Sequence, residues 1–168
     1  MGILAASHRL CTLCTITAIL TAQLASAHFR LLAPPTIGLD DDEQGSFPCG
    51  GYMPSLTASD ETSISDFHID GEPISVYLGH SSANWLFRGV ALTSDTPYNA
   101  SDYASSNSSA WNPSNFEQLY PIIKQINPEY FCIPTVRARG DWVGEKGIIS
   151  VISNGPDGLM YQVSSLAK

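Results

Sequence analysis

"PISVYLGHSSANWLFRGVAL", residues 73 to 92, decides the fold class. Residues 73 to 79 alternate apolar and polar side chains and are rich in residues that favour extended backbone, which predicts a strand with one buried face. Residues 84 to 92 predict a second strand, and the few polar residues between the two predict a hairpin. Outward from this pair the pattern recurs. "EYFCIPTVRA" (129 to 138), "GIISVIS" (147 to 153) and "GLMYQVSSL" (158 to 166) read as strands, the last following the Asn154-Gly155-Pro156-Asp157-Gly158 turn. Residues 28 to 32 form a short extended segment ended by Pro34-Pro35. "EQLYPIIKQI" (117 to 126) reads as one short helix or turn region interrupted by Pro121. Residues 94 to 115 read as a long polar loop without an apolar period. Short strands bounded by Gly, Pro and Asn predict an all-β sandwich of immunoglobulin-like or fibronectin-like type.

The chain divides into a leader and one domain. Residues 1 to 27 carry His8 and Arg9 ahead of a mostly apolar or small run from Cys11 to Leu24, then Ala25-Ser26-Ala27. This is the pattern of a secretory signal peptide with an A-x-A cleavage site. The run is too short and too rich in Thr to span a bilayer. Cys11 and Cys14 belong to the leader, so their spacing is not read as a redox or zinc motif. Residues 28 to 168, 141 in all, suffice for one domain with a core. Of the eight Lys and Arg only Arg9 falls in the leader, so the mature chain sets seven bases against all sixteen acids, a net charge of −9. Such a surface disfavours nucleic acid and anionic membranes and suits a metal cation. No second apolar stretch is long enough to cross a membrane, and "MYQVSSLAK" lacks the pattern of a lipid-anchor signal. The expected location is extracellular. Two cysteines remain, Cys49 and Cys132, and an even count in an oxidising compartment favours one disulfide between them. Asn99-Ala-Ser and Asn107-Ser-Ser are N-glycosylation acceptors, both in the polar loop; Asn112 precedes Pro113 and is excluded.

Cleavage after Ala27 makes His28 the first residue of the mature chain. A histidine in that place offers a free backbone amine, with an ordinary pKa near 8, within reach of its own imidazole, so that both can hold one metal ion. A second imidazole gives three nitrogens, an arrangement that suits Cu(II) better than zinc. His68, in "SDFHIDG", and His80, in "YLGHSSANW", are the candidate partners. His80 is favoured, because a strand-end imidazole can be aimed at one edge of a sandwich. The plainer reading makes His28 whatever the peptidase left and His80 a hydrogen-bonded surface residue.

"HFRLLAPPTIGLDDDEQGSFPCGGY" resembles the start of the fungal copper acquisition factors, a family similar to lytic polysaccharide monooxygenases. "IDGEPISVYLGHSSANW" resembles the family's second block; "EYFCIP", "DWVGEKGIISVI" and "GPDGLMYQ" resemble the third. Together, and in order, they cover nearly all of the mature chain. The resemblance implies a copper site in which His28 contributes amine and imidazole, His80 a second imidazole, and an aspartate a carboxylate. Asp157, in "PDGLMYQ", matches the recurrent Asp-Gly before the last strand and is preferred over Asp141, in "GDWVG"; an Asp in such a turn also satisfies its own backbone. Val163 stands where the family commonly has a cysteine, so a second disulfide is absent and Cys49 to Cys132 is the simplest remaining pair. Many members carry a lipid-anchor tail that this sequence lacks, which implies release from the surface or a shortened sequence.

Two functions follow from the resemblance. One is an extracellular copper-binding protein that captures copper or hands it over, to a membrane copper transporter for instance, without oxidative chemistry. The other is a copper-dependent polysaccharide monooxygenase, which calls for a flat aromatic face around the metal; Trp85, Trp111, Tyr98 and Tyr103 are the available aromatics. A carboxylate at the metal favours the first. No catalytic residue is assigned: there is no G-x-S-x-G, and Asp40-Asp41-Asp42-Glu43 reads as a solvated loop rather than a catalytic constellation.

Overall fold

The structure, a computed structural model, describes residues 28–57 and 64–167. The expected leader, with Cys11, Cys14 and the A-x-A site, lies outside the described residues. Eight strands are found among those described: β1 (Phe29–Ala33), β2 (Ile64–Asp66), β3 (Glu72–Leu78), β4 (Ser82–Ala91), β5 (Glu117–Ile126), β6 (Glu129–Val136), β7 (Gly147–Gly155) and β8 (Gly158–Ala167). They form two sheets, one of order β1-β3-β6 and one of order β2-β8-β7-β4-β5. All pairings are antiparallel except β2 with β8. The expected β-sandwich is what the chain forms. No helix among the described residues is long and apolar enough to cross a membrane.

Alternation builds the interface between the sheets. Along β3, Ile74, Val76 and Leu78 point inward while Ser75 and Tyr77 point out. β1 adds Phe29 and Leu31, and β4, β7 and β8 add Trp85, Phe87, Ile149, Val151 and Met160 from the facing sheet. Phe29 meets Trp85 edge to face, ring centroids 5.2 Å apart, a geometry worth about 0.5–1.5 kcal/mol beyond the area it buries.

The outer face of the five-stranded sheet is covered as well, which is why β7 and β8 are buried along most of their length on both sides. Residues 94 to 115, expected as a long polar loop, make three short 3-10 turns and fold Tyr103, Ala110 and Trp111 down onto Val90, Ile148 and Val163. Cys49 and Leu56 complete this second cluster. The path there is tight at Gly50, whose φ is +67° and where a Cβ would meet the Tyr161 carbonyl at 2.2 Å. Asn99 and Asn107 both lie exposed in the covering loop.

Two expectations are corrected. Residues 117 to 126 are a strand, β5, not a helix or turn. β5 is at the edge of its sheet, where a proline without an N–H is tolerated, and the register with β4 slips beside Pro121, between the pairs Phe87↔Tyr120 and Trp85↔Ile123. The bulge absorbs the interruption that the sequence advertises. Second, Cys49 and Cys132 are free thiols rather than a disulfide. Cys132 is exposed on the outer face of the three-stranded sheet, next to the inward Ile133, whereas Cys49 is buried on the outer face of the other sheet. With the whole sandwich between them, the two cannot approach the 4.4–6.8 Å separation of Cα atoms that a disulfide needs. Cys49 instead shares its cluster with Val163.

Candidate metal centre

The ends of three elements meet at one edge of the sandwich. β1 begins just after His28, whose carbonyl accepts from the Gly79 N–H at 2.9 Å. That bond closes the ladder between β1 and β3 and sets His28 beside the Gly79-His80-Ser81 turn that leads into β4. The β7–β8 hairpin arrives at the same edge, its turn formed by Pro156 and Asp157 between the paired Gly155 and Gly158. Gly155 permits a close approach: a Cβ there would lie 2.9 Å from the Ser82 carbonyl and 3.7 Å from the His80 ring. His80 therefore lies against the hairpin with its side chain buried and its Nε2 3.7 Å from Asp157 Oδ2, while Asp157 remains half exposed.

The electrostatics of His80 are those of a neutral donor. Burial lowers its pKa below the usual histidine value; the Asp157 carboxylate opposes this, and the nearby His28 adds to it. His80 Nε2 is buried without a hydrogen-bond partner. An orphaned polar atom of this kind normally costs about 1–3 kcal/mol, and a metal ion would relieve that cost. A neutral imidazole with its lone pair unspent, a carboxylate beyond hydrogen-bond length and a second histidine form a fitting set for a cation that prefers nitrogen. Among the described residues no three His, Cys, Asp or Glu side chains form a ready metal cage. The side chains of His28, His80 and Asp157 share this edge without being drawn together as three ligands; the third nitrogen expected from the sequence is the main-chain amine of His28.

The structure separates the rivals. His68 precedes β3 and His80 follows it, so a seven-residue strand lies between them, roughly 20 Å; His68 is exposed and paired through Nδ1 with Glu72. Asp141 lies at the far end of β4, beside a cleft of about 490 Å³ lined also by Thr93, Asp95 and Trp142. There both its oxygens are engaged by Arg139, at 3.0 and 2.8 Å. Of the two aspartates only Asp157 is brought to the histidines. Trp85, Trp111 and Tyr103 are buried in the two cores, so none of them contributes to an exposed aromatic face.

Two further sets of residues adjoin the site without a sequence signal that singles them out. Gln44 and Gln162, both buried, bond the outward edge of β1. Gln44 Oε1 accepts from the Phe29 N–H (3.1 Å) and Gln162 Oε1 from the Leu31 N–H (2.7 Å). Both amide nitrogens donate to the Phe29 carbonyl, at 2.7 and 2.8 Å. The strand that carries His28 is thus held on one side by β3 and on the other by two glutamines. Tyr77, Tyr130 and Arg30 line a groove against His28. Period-2 alternation would have placed Tyr77 on the outside, but not next to a histidine from another strand.

Comparison with known proteins adds one finding. The family model described as "Copper acquisition factor BIM1-like" matches residues 26–164. No curated protein matches the chain. With nearly the whole domain covered by that model, the chain belongs to the BIM1-like copper acquisition factor family.

Proposed function

We propose that this protein captures extracellular copper and passes it on, without oxidising polysaccharide. Membership of the family supports the copper-related role; the ligand set is our own reading. In it, the signal peptide is removed after Ala27, and the freed amine and imidazole of His28, with the imidazole of His80, give three nitrogens. Asp157 gives a hard oxygen that offsets part of the ion's charge. The observation that carries the reading is the buried, unpartnered Nε2 of His80 beside Asp157 and His28. A copper held this way is a cargo, and the acidic surface favours its approach. The destination, for example a membrane copper transporter, belongs to the same proposal.

The test uses the mature protein with His28 as its first residue and a second form with one additional N-terminal Gly. Each is titrated with Cu(II) and followed by electron paramagnetic resonance. The expected result is one tight, axial, nitrogen-rich site in the first form and its loss in the second. Equal, weak binding by both forms would refute the reading. The loaded protein given a reductant and polysaccharide is expected to release no oxidised sugars; their appearance would make it a monooxygenase.

A further inference from the structure

The groove beside His28 has a chemistry of its own. A row of side chains crosses the outer face of the three-stranded sheet, Arg30 opposite Tyr77 and Tyr77 opposite Tyr130. The two rings lie 4.9 Å apart, tilted by 51°, and Tyr130 is 74% exposed. With His28 and Leu32 they line a recess of about 310 Å³, the size of a small organic ligand at the lower end of ordinary binding sites.

Arg30 is the unusual member. The mature chain carries a net charge of −9, and most of its cations are committed. Arg139 is held by Asp141, Arg137 donates to the Asp70 carbonyl, Lys146 to the Leu56 carbonyl, and Arg88 is buried over the Phe116 ring. Arg30 makes no ion pair among the described residues. A guanidinium beside phenol rings, with its forked donors unspent, is a receptor for a carboxylate. It also stands where one is needed. A copper(II) complex with a small di- or tricarboxylate is anionic, and an acidic protein repels it.

We propose that the Arg30–Tyr77–Tyr130 groove binds a carboxylate of the small di- or tricarboxylate chelator that brings copper, holding donor and protein together while the metal passes to His28. This rests on the copper reading above. Arg30 takes the carboxylate, the two tyrosines bracket the chelator's carbon frame, and the emptied chelator leaves by the open side of the groove.

The experiment measures copper transfer to the mature protein from two donors, copper(II) citrate, which is anionic, and a copper(II)–imidazole complex, which is cationic. Quenching of Trp85, which packs against the residue next to His28, reports arrival. Arg30→Gln and Tyr130→Ala are each expected to slow transfer from citrate about fivefold, the factor given by roughly 1 kcal/mol, and to leave the imidazole donor within about twofold. Arg30→Lys is expected not to restore the citrate rate, because an ammonium lacks the fork. Full rescue by Arg30→Lys, or no effect of Tyr130→Ala, would reduce the groove to long-range attraction and overturn the proposal. Failure of the unsubstituted protein to take copper from either donor would refute the copper reading itself. Citrate titrated into the metal-free protein then decides the groove alone: binding lost in Arg30→Gln upholds it, and no binding removes it.

Discussion

Replacing Gln44 and Gln162 by leucine, singly and together, examines how the first strand is held. Gln44→Leu removes the acceptor of the Phe29 N–H but leaves the Phe29 carbonyl bonded to Gln162. Gln162→Leu removes the acceptor of the Leu31 N–H and leaves the same carbonyl bonded to Gln44. Each single variant therefore orphans one buried donor, at about 1–3 kcal/mol, and a loss of about 2 kcal/mol is expected from each. Only the double variant leaves the carbonyl without a partner as well. Its loss is expected to exceed the sum of the singles by about 1 kcal/mol, a large share of a typical total of about 5–15 kcal/mol. Urea unfolding measures this, with an unchanged m-value confirming that the unfolded state is not the cause. Hydrogen exchange at Phe29 and Leu31 locates the effect. Because β1 carries His28, the apparent copper affinity should fall in proportion to the fraction of molecules with β1 undocked. Strictly additive losses, or single losses under about 0.5 kcal/mol, would refute the shared-carbonyl clamp.

Other expectations concern the site and the two cores. His80→Ala should weaken Cu(II) binding by at least tenfold (about 1.4 kcal/mol) in titrations, whereas His68→Ala and Asp141→Asn should leave it unchanged. A thiol reagent should label Cys132 in the native protein and Cys49 only after unfolding, since Cys49 is buried and burial pushes its thiol pKa well up; intact mass should show no disulfide between them. Val163→Cys should pair with Cys49 on refolding with an added disulfide oxidant, lowering the mass by two hydrogens and adding about 3 kcal/mol of stability. The Tyr103 hydroxyl is pushed up to about 12, first by burial and then by Tyr98 and Asp102. The fold favours its neutral form, so stability is intact below the ordinary tyrosine value near 10 and falls as pH rises above it, by up to about 1.4 kcal/mol per pH unit until about 12. Tyr103→Phe should flatten that part of the stability–pH profile.

The strands of the sandwich were legible because their signal is local. β3 alternates with period 2, β7 and β8 are bounded by Gly and by the Pro156-Asp157 turn, and each lies within about two residues of its expected limits. β5 was not legible. Pro121 breaks a strand in isolation, and only an edge position with a bulge in the register makes it harmless. The cover over the second sheet was hidden for a related reason. Tyr103, Ala110 and Trp111 have no period, since 3-10 turns rather than a strand or helix present them.

By itself the sequence determined the all-β class, the family resemblance and the histidines and aspartates from which a metal site could be drawn. The tertiary structure alone chose among them. It put His28, His80 and Asp157 at one edge and sent His68 and Asp141 away, because strand direction decides which end of a sheet a loop occupies. It also parted Cys49 from Cys132, which the cysteine count had joined. A count carries no geometry, and two thiols on opposite faces of a sandwich are kept apart by the core that holds the sheets together.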